Sequence, residues 1–91
     1  MDELNIHVPD SPGEVIGDAG RLLFGVYWQA PLARLMGVGE RVVRHWLNGE
    51  KRPSDHELRK LTEVMFLQSV HLRSFSRKLE RRLDTRARRF N

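Results

Sequence analysis

The stretch "GVGERVVRHWLNG", residues 37–49, sets its bulkiest apolar side chains beside its best hydrogen-bonding ones. On a helix, successive residues turn by about 100°. Glu40, Arg41, Arg44, His45 and Asn48 then share one arc of about 140°, and Val42, Val43, Trp46 and Leu47 share the opposite one. One face suits a protein core. The other offers only donors and acceptors, which fits the major groove of duplex DNA. That groove admits an α-helix and shows a distinct donor/acceptor pattern at each base pair. An ordinary amphipathic surface helix has the same periodicity, so the neighbouring residues decide.

Immediately upstream, "QAPLARLM" (29–36) reads as a short helix, with Pro31 near its start, an apolar side of Leu32, Leu35 and Met36, and Gly37 at its end. Only "GVG" separates it from the helix over 40–48, which Gly49 closes. So short a join forces a steep crossing, as in a helix-turn-helix. A steep crossing needs a small residue where the helices touch, and Ala33 stands four positions before Gly37. The turn needs a residue that tolerates positive φ, and Gly37 meets that need. Val38 and Val43 are expected to wedge inward between the two helices.

Further out, "SPGE" (11–14) starts another helix, with Ser11 as cap, Pro12 at the first position and Glu14 completing a capping box. Val15, Ile16, Ala19, Leu22 and Leu23 follow at helical spacing, and Gly25 is the stop. Gly13, Gly17 and Gly20 each cost about 1 kcal/mol of propensity relative to alanine, so that helix must lean on tertiary packing. After the loop "KRP", "SDHE" (54–57) forms a second capping box. From Asp55 to Arg89 there is neither glycine nor proline, and Leu58, Leu61, Met65, Leu72, Phe75 and Leu79 recur at steps of three and four, with Gln68 in one slot. This is one long helix or two with a bend. Residues 1–10 read as an acidic arm holding at most one short extended segment. The fold class is all-α, a compact bundle with a long C-terminal helix or helix pair.

The 91 residues suit one small domain. No stretch reaches the roughly 20 apolar residues of a membrane span, and the acidic N-terminus is unlike a signal peptide. With no cysteine, disulfides and thiolate metal sites are excluded, and a cytoplasmic address is the simplest expectation. Charge is unevenly placed. Residues 1–20 hold five acids and no Lys or Arg, whereas residues 71–91 hold eight bases and two acids. A basic body and tail favour a polyanionic partner. His7, His45, His56 and His71 lack metal-ligand spacing, and no nucleophile motif or phosphate cradle is present. Neither metal, cofactor nor catalysis is expected.

"QAPLARLMGVGERVVRHWLNGEKRPS" resembles the phage-repressor and Cro-type (XRE-like) helix-turn-helix family. The features that carry the likeness are Gln29, Leu32-Ala33, Gly37, Val43, Trp46 followed by Gly49, and Arg52-Pro53, and it covers roughly residues 20–66. The longer run from Leu22 to Gly49 is also similar to a set of small bacterial and phage regulators. Gly39 departs from the family, which often has a serine or threonine there to cap the next helix or touch a phosphate.

That resemblance implies a lambda-repressor-like bundle over residues 11–67, with helix 40–48 as the recognition helix of a double-stranded DNA-binding transcriptional regulator. Glu40, Arg41, Arg44 and His45 are then the base readers, with arginine gripping guanine and glutamate accepting from cytosine. Gln29, Asn48, Lys51 and Arg52 are expected on phosphates, fixing register. Regulators of this kind pair on palindromic sites. The apolar stripe of Leu72, Phe75 and Leu79, within residues 68–91, is the expected homodimer seam. The alternative is an antitoxin or other interaction module, in which a partner protein is the main ligand. Salt-sensitive, sequence-selective DNA binding separates the two.

Overall fold

The computed structural model describes residues 6–89, with side chains through Ala87. Four helices follow in chain order: α1 (Pro12–Phe24), α2 (Gln29–Met36), α3 (Glu40–Leu47) and α4 (Asp55–Arg89). Among the described residues there is no strand. Asp2 and Glu3 of the acidic arm, and the side chains of Arg88 and Arg89, lie outside the described part. Residues 6–9 have no regular structure.

The core is small and shared. Ile16 and Ala19 from α1, Trp28, Leu32, Ala33 and Met36 around α2, Val43 and Trp46 from α3, and Leu61 from α4 are all buried. α1 packs on each of the other helices, and α4 packs on α1 and α2. α3 is therefore held from behind by α1 and α2, and among the described residues α4 does not pack on it.

The glycines that weaken α1 locally are what let it pack. A Cβ at Gly13 would press on the backbone carbonyl of Trp46 in α3. A Cβ at Gly20 would overlap the indole of Trp28. Close approach of backbones offsets the propensity cost, because dense contact in the core returns dispersion and burial energy.

Helix ends follow the sequence with two corrections. Ser11 sits at the N-cap of α1, but its side chain makes no cap hydrogen bond, so the expected box with Glu14 does not form. Pro12 sets the helical φ there and has no N–H to satisfy. α3 ends at Leu47, one residue short of the expected 48, because Asn48 is already its C-cap. The second box forms as expected. The Ser54 N–H donates to Glu57 Oε1 at 2.8 Å, and the Glu57 N–H donates to Ser54 Oγ at 3.0 Å.

α4 settles the open question about residues 55–89. It is one uninterrupted helix of 35 residues, about 50 Å long at 1.5 Å per residue. The longest dimension of the molecule is 61 Å. Leu58, Leu61 and Met65 pack on the body. Beyond Gln68 every residue with a described side chain is exposed, so the boundary expected at 67/68 falls inside a continuous helix.

Candidate nucleic-acid interface

The elbow between α2 and α3 is built by the backbone. Gly37 adopts φ 73° in the left-handed region. The Gly37 N–H donates to the Arg34 carbonyl at 3.2 Å, and the Val38 N–H donates to the Ala33 carbonyl at 3.0 Å. This pair of bonds is a Schellman motif, which satisfies the last carbonyls of α2 and reverses the chain. A third carbonyl is capped from afar, since Lys60 Nζ on α4 donates to the Met36 carbonyl at 3.0 Å. The sequence reading passed over Lys60. Its only sequence signal is a position one turn into α4, away from the apolar stripe.

α3 divides as its periodicity predicts. Val43 and Trp46 are fully enclosed, and Val42 and Leu47 pack against the core from its edge. Val38 does the same from the turn. Glu40, Arg41 and Arg44 lie on the exposed side. Among the described residues, neither Arg41 nor Arg44 has a carboxylate partner. Gly39 is the N-cap of α3 and supplies no side-chain bond, so the first amides of α3 are left for solvent or a ligand.

His45 differs from its neighbours. It is half-buried, and its Nε2 lies 3.7 Å from Glu50 Oε1. Asn48 is also engaged. Its Nδ2 donates to the same Glu50 oxygen at 2.8 Å, and its Oδ1 accepts from the Glu50 N–H at 3.0 Å. Glu50 therefore braces the end of α3, a role missed in the sequence reading. The Asn-Gly-Glu order after a helix, which favours an Asx turn, was the available signal.

The remaining candidates spread around α3. Gln29 begins α2 and is half-buried. Lys51 and Arg52 are exposed and share a concavity of about 390 Å³ with Asn48 and the start of α1 at Ser11–Gly13. Tyr27, just before α2, is 89% exposed and was not singled out. Leu72, Phe75 and Leu79 are far from this surface, along the tail of α4. Arg21, on α1, pairs with Asp18 at 3.0 Å and lies 6.0 Å from the Trp28 ring centroid, covering the core from outside.

Two short helices crossing at a glycine elbow, with the second showing an exposed Glu/Arg face, match the model of a known family over residues 29–70, described as helix-turn-helix. Residues 29–70, a little under half of the chain, carry a helix-turn-helix consistent with an XRE-like regulator. Comparison with curated proteins and with solved structures finds no match. The matched helix-turn-helix spans α2, α3 and the first half of α4, and leaves out α1 and the tail. It is a double-stranded DNA-binding module. No described helix is long and apolar enough to cross a membrane.

Proposed function

We propose that this protein is a sequence-specific transcriptional regulator, acting as a repressor, that reads a palindromic operator by placing α3 in the major groove. One observation carries the reading: α3 buries Val43 and Trp46 while Glu40, Arg41 and Arg44 stand exposed on its other side. Arg41 and Arg44 grip guanine O6 and N7, and Glu40 accepts from cytosine N4. His45, beside Glu50, reads at the edge of the same face. Gln29, Asn48, Lys51 and Arg52 hold phosphates and fix the register. Residues 11–67 form the DNA-binding unit. Residues 68–91 supply the homodimer seam through Leu72, Phe75 and Leu79, which doubles the readout on two half-sites.

Selection of duplexes from a random pool tests this directly. The expected result is one G·C-containing inverted repeat whose affinity falls as salt rises. Binding without sequence preference overturns it, and capture of a protein partner with no duplex selected overturns it in favour of an interaction module.

A further inference from the structure

An apolar groove of about 730 Å³ lies on the side of the molecule formed by residues 6–9, α1 and the base of α4. Ile6, Val8, Val15, Leu22, Leu58 and Met65 are among the residues lining it. Ile6, Val8 and Leu22 are mostly exposed there. The tail of α4 has the matching deficit, since Leu72 and Phe75 are each 70% exposed and Leu79 and Leu83 are about half exposed. The tail cannot fill its own groove, because α4 runs uninterrupted from the groove to the far end.

We infer that the tail of one copy occupies the groove of a second copy, with the two α4 helices antiparallel and the exchange reciprocal. This rests on the homodimer reading above and names the surface on which its seam docks. Register argues for it. The stripe Leu58, Leu61, Met65, Gln68, Leu72, Phe75, Leu79 keeps steps of three and four throughout, the spacing of a coiled-coil seam. Gln68 is its midpoint. A two-fold axis there sets Leu72, Phe75 and Leu79 of one copy against Met65, Leu61 and Leu58 of the other. The half-buried Gln68 amides, each both donor and acceptor, then meet at the axis, and one polar pair in an apolar seam fixes register.

Charge selects the antiparallel sense. Residues 71–91 carry eight bases and two acids, so tails lying side by side set like charge against like. Residues 6–20, beside the groove, carry Asp10, Glu14 and Asp18 and no Lys or Arg. The base of α4 adds Asp55, Glu57 and Glu63 against Arg59 and Lys60, and Arg21 of the groove is already paired with Asp18. Exchange brings the basic tail to these acids, and complementary charge sets the choice of partner surface.

The absence of cysteine makes the test clean. Thr62 lines the groove, and Ser76 flanks the tail stripe at the position facing it across the proposed axis. Full-length Thr62→Cys and Ser76→Cys proteins, mixed and gently oxidised, should yield a covalent dimer that neither yields alone. Arg77→Glu with Arg81→Glu should raise the dimer Kd about tenfold, with circular dichroism confirming an intact helix. Ready crosslinking of Phe75→Cys alone, or a tighter dimer after the charge reversal, means parallel tails. Either result overturns the exchange and leaves the homodimer standing, as does a wild-type dimer with no mixed product. A monomeric mass for the wild-type chain overturns both.

Discussion

Arg41 and Arg44 have the strongest claim on sequence recognition, because they stand exposed with no carboxylate partner among the described residues. Arg41→Ala or Arg44→Ala should cost about 1–3 kcal/mol of operator binding and relax preference at a single base pair. Affinities across a set of point-substituted operators check this, and an unchanged preference removes the residue from the reading face. Lys51→Ala should behave differently. An exposed phosphate contact carries no sequence information, so all duplexes should weaken alike and the salt slope should fall by about one. A loss confined to the best operator would move Lys51 to base reading. His45 was expected to read a base and Asn48 to hold a phosphate; in the structure Asn48 is hydrogen-bonded to Glu50, and His45 Nε2 lies 3.7 Å from the same carboxylate. That bracket depends on side-chain rotamers at a helix end, which periodicity does not specify.

Each helix shows what local pattern can and cannot reveal. The elbow was readable because Ala33, Gly37, Val38 and Val43 each answer a separate steric need at a fixed spacing. The Ser54–Glu57 box was readable because its two bonds close within four residues. Ser54→Ala should lower stability by about 0.5–2 kcal/mol, measured by urea titration. Ser11-Pro12-Gly13-Glu14 has the same local pattern, yet no cap bond forms. α1 was the least readable element, since its glycines look like weakness in sequence and become contact surface only once α2 and α3 arrive. Gly20→Ala should therefore lower the melting temperature despite higher helix propensity. Its methyl group meets the buried Trp28 ring, and overpacking of that kind typically costs about 1–3 kcal/mol. A rise in melting temperature would mean that the indole moves aside freely. Whether residues 55–89 bend was not decidable from their spacing, because a stripe at steps of three and four suits both a straight helix and a folded-back pair.

For the molecule as a whole, a compact reader is joined to a long arm by one helix that belongs to both. Nothing between Asp55 and Arg89 offers a hinge, because no glycine or proline interrupts α4. Phase and reach beyond Gln68 are thus set by helix geometry alone. One alanine inserted after Gln68 would rotate the distal leucines by about 100° relative to the reader. Self-association should be lost while the reader stays folded, as light scattering and circular dichroism would show. Seven inserted residues restore the face and add about 10 Å. In a reciprocal pair the two DNA-binding bodies then move apart, out of step with the helical repeat that paired half-sites follow, so the wild-type operator should bind more weakly. α4 would act as a ruler, and the gap between the halves of an operator would be recorded in the number of its turns.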